Sequence, residues 1–279
     1  MHGKGTLEFF GCIFDGDFVE NVKEGLVGTC KFADGTIYRG EWKAGKPSGK
    51  GELITPSRDK YKGEWKEGRR CGQGELYYSN GDKYVGGWDN DNFSGLGTLI
   101  LKNDCTYVGS FEKGLFHGEG TLKTKEGQFF GVFEYGVKNG HGTMNYVNDS
   151  SYDGMWKNGL PHGQGKKVDL CGTYEGEFHC GMKKGLGRMR YKDNSTYEGS
   201  WLDDRRHGNG IYESNGGHIH LYRGEWVKDK KCGKGTITFA NNDEWDGMFD
   251  NDQPHGHGIY RTKTPTVFVQ VEGKWVRGI

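Results

Sequence analysis

A short pattern recurs along the entire chain: an aromatic residue, any residue, glycine, any residue and a second aromatic residue. Clear copies occupy residues 38–42, 61–65, 152–156 and 222–226. The central glycines are residues 16, 40, 63, 86, 109, 131, 154, 176, 199, 224, 247 and 273, so successive copies lie 22 to 26 residues apart. A fixed period of this length is the signature of a repeat protein, in which each unit packs mainly against its neighbours.

The repeat extends over residues 1–279, which are predicted to form one continuous array of about twelve repeats of about 23 residues. The chain begins and ends within a repeat, at Gly3 and Trp275. We therefore expect either a piece of a longer protein or ends that another chain completes. Seven scattered cysteines and the lack of a signal peptide favour free thiols in the cytoplasm.

Each repeat has the pattern of two short antiparallel strands. Tyr152, Gly154 and Trp156 alternate with other residues, which places all three on one face of a strand. The dipeptide of Asn80 and Gly81 favours a tight hairpin turn, because both residues tolerate a positive φ. We expect the motif glycines to leave room for aromatic rings from neighbouring strands to lie across them.

Composition restricts the architecture that these hairpins can build. Glycine supplies 51 of 279 residues and hydrophobic residues only 33%, too few for a thick two-layer core. Aromatic residues make up 14%, which argues against disorder. The predicted fold is all-β: an elongated, single-layer, twisted antiparallel sheet of tandem β-hairpin repeats that forms a solenoid-like rod.

The arrangement Y-x-G-x-W-x-x-G-x-x-x-G-x-G, present at residues 61–74, resembles the signature of MORN (membrane occupation and recognition nexus) repeats. The resemblance covers essentially the whole chain and implies a rod of hairpins without an enzymatic role. Similar proteins occur in cytoskeletal assemblies, cilia and flagella including radial spokes, cell-cortex structures and membrane junctions. Some bind partner segments along an aromatic groove, some dimerise, and phosphoinositide binding has been proposed. The first copy, with Phe14 and Phe18, and the last, with Val271, depart from the pattern.

The aromatic face of the sheet is the candidate partner-binding site. A single-layer sheet has little to cover its second side, and large exposed apolar patches mark interaction sites. We expect a cytoskeletal or axonemal protein to lie along this face, for example as a helical segment in its groove. The chain would then be a non-enzymatic scaffold or adaptor in a cilium, a flagellum or the cell cortex. The candidate residues are Tyr38, Trp42, Tyr61, Trp65, Tyr84, Trp88, Tyr107, Phe111, Tyr152, Trp156, Tyr174, Phe178, Tyr197, Trp201, Tyr222 and Trp226.

Basic pairs after the second motif aromatic are a candidate edge for anionic lipid: Arg69, Arg70, Lys183, Lys184, Arg205 and Arg206. Near an anionic surface each basic residue adds about 1 kcal/mol. Acidic residues such as Glu67, Asp203 and Asp204 share this edge, and a mixed-charge surface that keeps the protein soluble explains the same residues. A phosphoinositide-binding tether stays as an alternative function, and so does a targeting module for an enzyme.

The last strand is predicted to associate with a second copy of the chain. Terminal strands present unpaired N–H and C=O groups, which are a template for pairing. Val267, Val269 and Val271 alternate on one face with little charge, and Trp275 follows them. These four residues are the candidate contacts of a homo-oligomer.

Other classes of site find little support. Lys and Arg total 38 and so do Asp and Glu, which removes the basic footprint of nucleic-acid binding. His117, His162, His207 and His255 lie two repeats apart, about 19 Å along a sheet and too far to share one metal ion. No carboxylate pair or nucleophile motif stands out. We therefore predict no catalytic residue, no metal site and no cofactor.

Overall fold

A computed structural model describes residues 2–263 and 268–275, with only the backbone described for Lys263 and for residues 268–270. The described residues form 24 β-strands and no helix. Among them there is accordingly no helix with the length and apolar character needed to span a membrane. The all-β prediction is confirmed. The chain divides into two compact units, Met1–Lys138 and Asn139–Ile279, which are described in turn.

In the first unit, every strand pairs antiparallel with the strands before and after it in the chain. Consecutive hairpins therefore build the sheet, as the repeat pattern predicts. The strands are β1 (Gly3–Phe9), β2 (Cys12–Val19), β3 (Val22–Lys31), β4 (Ile37–Lys43), β5 (Lys46–Ile54), β6 (Lys60–Lys66), β7 (Arg69–Tyr77), β8 (Lys83–Asp89), β9 (Asn92–Ile100), β10 (Thr106–Glu112), β11 (Leu115–Thr124) and β12 (Gly127–Glu134).

The second unit repeats the same antiparallel order, and the dividing point falls within its first strand. Its strands are β13 (Val137–Tyr146), β14 (Ser151–Lys157), β15 (Leu160–Asp169), β16 (Gly172–His179), β17 (Met182–Tyr191), β18 (Thr196–Leu202), β19 (Arg205–Glu213), β20 (Ile219–Val227), β21 (Lys230–Phe239), β22 (Glu244–Asp250), β23 (Gln253–Lys263) and β24 (Phe268–Trp275). The single array over residues 1–279 stays a prediction.

The turn between β6 and β7 shows why each motif is followed by a tight hairpin. Glu67 and Gly68 both lie in the left-handed region, with φ of 52° and 83°. A two-residue type I′ turn requires a positive φ at both central residues, and its twist matches that of the flanking strands. The x-x-Gly segment after Trp65 therefore sets the hairpin register.

A bulge in the second strand aligns the Gly-x-Gly element with the motif. Gly63 pairs with Gly74, but the register then shifts, so that Trp65 lies opposite Arg70. Gly72 provides this bulge with a φ of 58°, which a residue with a Cβ adopts only with strain. The first glycine of the element thus bends the strand, and the second pairs with the motif glycine.

The core lies on the face that carries the motif aromatic residues. A Cβ added to Gly74 would lie 2.5 Å from the Tyr61 hydroxyl oxygen and 2.6 Å from its Cε2 atom. The Tyr61 ring therefore lies across a glycine of the neighbouring strand, and the same ring covers Gly63 of its own strand. The expected role of the motif glycines, to leave room for rings, is confirmed.

Candidate functional site

The motif aromatic rings form an edge-to-face ladder within each unit. The Trp65 ring lies 5.2 Å from the ring of Tyr61 in its own repeat and 5.1 Å from the ring of Tyr38 in the preceding repeat. In the second unit, Trp201 contacts Tyr197 at 5.1 Å and Tyr174 at 5.3 Å. Aromatic quadrupoles favour this edge-to-face geometry. Within each unit, successive repeats are therefore joined by ring contacts.

Backbone carbonyl oxygens accept hydrogen bonds from most polar atoms of these rings, although the buried Nε1 atoms of Trp88 and Trp245 have no partner among the described residues. The Tyr61 hydroxyl donates a hydrogen bond to the Glu64 carbonyl oxygen at 3.0 Å, and the Trp65 Nε1 donates to the Gly51 carbonyl oxygen at 3.3 Å. Burial raises the pKa of Tyr84 to about 12, so its hydroxyl stays protonated and able to donate at neutral pH. The aromatic layer is thus a hydrogen-bonded core.

A row of side chains covers the aromatic layer from the solvent side. These residues lie five positions after the second motif aromatic, and we call them the capping row. The Arg70 guanidinium lies 4.4 Å from the Trp88 ring and 5.6 Å from the Tyr61 ring, within the range of cation–π attraction. Phe93 instead stacks on Tyr84 at 3.7 Å. The row consists of Lys23, Pro47, Arg70, Phe93, Phe116, Lys138, Pro161, Lys183, Arg206, Lys231 and Pro254.

The sixteen residues predicted to bind a partner are brought together in this layer. Each side chain is at most 6% exposed, the value for Trp65. The expectation that their face would be an open apolar surface is wrong, because neighbouring rings and the capping row cover it. Their role as partner contacts stays a prediction, and a partner on this face would meet the capping row first.

The opposite face of the sheet is solvent-exposed and largely charged. In the first unit, cross-strand pairs join Arg39 to Glu52, Glu52 to Lys62, and Lys62 to Glu75. An ion pair between Lys60 and Glu52 lies on the same face. Such exposed pairs contribute little to stability, about 0–1 kcal/mol each. This part of the face is a solvated surface.

The charge pattern stops at β8, where the ladder continues as alternating valine and threonine. Val85 pairs with Thr98, and Thr98 pairs with Val108. On its other side Val108 pairs with Thr121, which in turn pairs with Phe130. Leu96, Val108 and Phe130 are 75%, 50% and 59% exposed. We call Val85, Leu96, Thr98, Val108 and Phe130 the uncharged patch. Sequence analysis missed it, although an uncharged residue at the middle outward-facing position of each strand from β8 to β12 is a readable signal.

The predicted lipid-binding residues fall into two groups. Arg70, Lys183 and Arg206 belong to the capping row and are half-buried. Arg70 Nε lies 3.0 Å from the Oδ1 atom of Asp91, and Arg206 Nε lies 3.1 Å from that of Asp229. Burial lowers the pKa of Lys183, since it disfavours the charged ammonium. Lipid binding stays a prediction, and the exposed members of the three pairs are Arg69, Lys184 and Arg205.

The predicted self-association site is only partly described. Val267 lies outside the described residues, and only the backbone of Val269 is described, within β24. Val271 is 50% exposed, whereas the Trp275 ring lies 4.3 Å from the Trp245 ring. Trp275 thus contributes to contacts within the chain. Association of two chains through β24 stays a prediction.

A cluster of side chains that could ligate a metal occurs among the residues that the structure describes. It consists of His162, His179 and Cys180, whose ligand atoms all lie within 4.8 Å of one another. Sequence analysis did not compare histidines and cysteines that lie on paired strands. The signal was the hairpin register: Gly163 pairs with Phe178, which brings His162 beside His179.

A family model described as "MORN repeat" matches the chain eleven times, over residues 14–37, 38–60, 61–83, 84–106, 107–128, 129–151, 152–169, 174–196, 197–219, 222–244 and 245–263. The matches extend over nearly all of the sequence and follow the glycine spacing described above. The suspected family resemblance is confirmed. Comparison with curated proteins found no match.

Among solved structures, the chain is similar to the TCP10 domain of Danio rerio CPAP in complex with a peptide of Danio rerio STIL. The identity is 8%, the match covers 89% of this chain and 94% of that one, and the TM-score is 0.28. A second similar structure is the SAS-4 (dCPAP) TCP domain of Drosophila melanogaster in complex with a proline-rich motif of Ana2 (dSTIL). It is 10% identical, over 77% of this chain and 90% of that one, with a TM-score of 0.24. Likeness at these scores carries no argument about function.

Proposed function

The chain belongs to the MORN repeat family, a non-enzymatic repeat module found in protein-binding and membrane-associated scaffolds, and on that premise we propose that it is a scaffold that binds partner proteins in a cytoskeletal assembly. The proposed setting is cytoplasmic: the axoneme of a cilium or flagellum, such as a radial spoke, or the cell cortex. The uncharged patch is the observation that carries the partner-binding part of this proposal.

The patch has the chemistry of a protein-binding surface. Leu96, Val108 and Phe130 are exposed on one face, and burying them against a partner would gain about 25 cal/mol per Å² of apolar area. Threonines and valines alternate along the row of paired residues from Val85 to Val108, so a partner can bury this row without leaving a charge unpaired while Glu119 beside it stays in solvent. A partner segment with apolar side chains fits this surface.

The charged ladder next to the patch supplies a means of orienting that segment. Glu52, Lys62 and Glu75 alternate in sign immediately before Val85. A partner with complementary alternating charge would bind in one direction and one register, because like charges placed opposite each other repel. We propose that the apolar contacts supply affinity and that the ladder supplies specificity.

The test is affinity capture with the full chain from ciliated cells, followed by mass spectrometry. The double variant Val108→Glu/Phe130→Glu removes the patch without touching the buried rings. Ile211→Glu is the matched control, since Ile211 is an exposed residue at the equivalent ladder position of the second unit. Circular dichroism confirms that each variant is folded.

Axonemal or cortical proteins that bind the wild type and Ile211→Glu but not the double variant support the proposal. Retention of every partner by the double variant excludes the patch. A further double variant, Phe93→Ser/Phe116→Ser, opens the capping row. If partner proteins are lost only in this variant, binding is assigned to the aromatic face instead.

A phosphoinositide-binding tether is the second candidate, supported by the exposed cations Arg69, Lys184 and Arg205. Sedimentation with phosphoinositide vesicles, and with neutral vesicles for comparison, tests it directly. Reversal of these three charges should abolish phosphoinositide-dependent binding if the edge contacts lipid. Equal binding by wild type and variant, or no binding at all, contradicts this role.

A further inference from the structure

Two histidines and a cysteine meet at one corner of the second unit. His162 lies in β15, His179 ends β16, and Cys180 follows in the tight turn that leads to β17. The two imidazole rings are 4.8 Å apart between centroids, at 48° to each other. All three ligand atoms lie within 4.8 Å of one another. We propose that these three residues form a Zn²⁺ site.

The chemistry of the group fits zinc. Imidazole nitrogen and thiolate sulfur are the ligands that zinc prefers, at about 2.0–2.1 Å and about 2.3 Å from the ion. Ligand atoms of a tetrahedral site lie about 3.5 Å apart, so small side-chain rotations close the present spacing. Because His179 and Cys180 are exposed, their side chains have room for these rotations.

The backbone holds the three residues close before any ion binds. Pairing of Gly163 with Phe178 fixes the strands that carry the two histidines. Cys180 lies in the left-handed region, with a φ of 49°, as the first central residue of its type I′ turn. The hairpin therefore already removes much of the conformational freedom that the three residues would otherwise lose on binding an ion, which favours binding.

The repeat itself provides comparison sites, because the same three positions recur in other hairpins. Two repeats later, the equivalent residues are His207, Val227 and Lys228. Two repeats earlier, they are His117, Glu134 and Tyr135, of which at most two are good metal ligands. The full set of ligands is therefore particular to the corner at His162 and does not follow from the repeat consensus.

A solvent-accessible cavity of about 520 Å³ adjoins the cluster and is lined by His162 and His179 among other residues. Glu177 and Lys184 both line it, so their opposite charges offset each other near the ion. Three protein ligands leave the fourth tetrahedral position open, and water from this cavity would occupy it. The site would join β15 to the turn between β16 and β17.

Zn²⁺ binding to the full chain tests the proposal. The protein is stripped with a chelator in a non-thiol reductant, and Zn²⁺ is titrated by calorimetry and by competition with a chromophoric chelator. We expect one high-affinity ion per chain. His162→Ala, His179→Ala and Cys180→Ser should each weaken binding at least tenfold, since even changes outside the ligand shell cost about 10–100-fold.

His207→Ala is the matched control, because it removes a histidine at the same repeat position that lines the same cavity but does not belong to the cluster of three ligands. Its Zn²⁺ affinity should equal that of the wild type. Substitution with Co²⁺ adds a spectroscopic readout, since the thiolate-to-cobalt charge-transfer band should be present in the wild type and absent in Cys180→Ser. No stoichiometric ion, or equal affinity in the wild type and all three ligand variants, overturns the proposal.

Discussion

The ring of Trp65 lies 5.1 Å from the ring of Tyr38 and at 80° to it, although the two residues belong to successive repeats. Trp65 also donates its indole N–H to the carbonyl oxygen of Gly51 in the preceding repeat. Within each unit, the core of a repeat is therefore completed by the tryptophan or phenylalanine of the next repeat. Stability in such an arrangement depends strongly on contacts between neighbours.

Replacing Trp65 by alanine should destabilise the protein by about 3–5 kcal/mol, the usual cost of truncating a large buried aromatic side chain. Its contacts with Tyr61 and Tyr38 would both be lost. Chemical denaturation followed by circular dichroism measures the change. Tyr77→Ala is the control, since Tyr77 lies on the opposite face and is exposed. Equal losses in the two variants would contradict the ladder as the core.

Arg70→Ala should cost about 1–3 kcal/mol, whereas Arg69→Ala should stay within about 0.5 kcal/mol. The Arg70 side chain packs over Trp88 and binds Asp91, so its removal exposes a ring and leaves the Asp91 carboxylate with the backbone N–H of residue 70 but without the guanidinium. Its neighbour Arg69 is exposed. The difference in denaturation midpoint between these two variants measures the contribution of the capping row.

Gly74→Ala should destabilise the protein by more than about 2 kcal/mol, because the added methyl group would overlap the Tyr61 ring. The ring would have to move, and its hydrogen bond to the Glu64 carbonyl would weaken. Gln73→Ala, one residue earlier and exposed, should be close to neutral. A stable Gly74→Ala variant would show that the Tyr61 ring is free to shift.

Raising the pH should unfold the protein between about pH 10 and pH 12. Burial raises the pKa of Tyr84, Tyr107 and Tyr152 to about 12, against about 10 in an unfolded chain. A raised folded-state pKa means that the stabilisation is fully present below pH 10 and is lost as the pH rises towards 12. Tyrosinate absorbance and circular dichroism should therefore change together. Ionisation of these tyrosines near pH 10 in a folded protein would contradict their burial.

The fold was predictable because the signals that specify it are local. The alternation of Tyr61, Gly63 and Trp65 defines a strand, and the glycine at residue 68 defines the turn that follows. A repeat multiplies these signals, so that one correct hairpin predicts its neighbours. The different roles of the two glycines in Gly-x-Gly were not predicted. The first forms a bulge and the second pairs with the motif glycine, and a bulge depends on how two strands align.

The candidate surfaces were harder to predict, since they depend on which side chains cover others. Arg69 and Arg70 look equivalent in the sequence, yet only Arg70 folds over the Trp88 ring. The aromatic residues were predicted to be exposed because a one-layer sheet was expected to leave one of its faces uncovered. Residues five positions after each motif supply that cover, and their varied types hide the pattern.

The sequence by itself determined the antiparallel hairpins, the glycine contacts and the family, because each follows from residues that are close in the chain and repeat at a fixed spacing. Only the tertiary structure decided which face is covered and which residues meet across strands. Val108 and Phe130 become one exposed patch, and His162 and Cys180 become neighbours, through hairpin register. Register brings residues that are about 20 positions apart in the chain close together in space, and this requires the paired backbone.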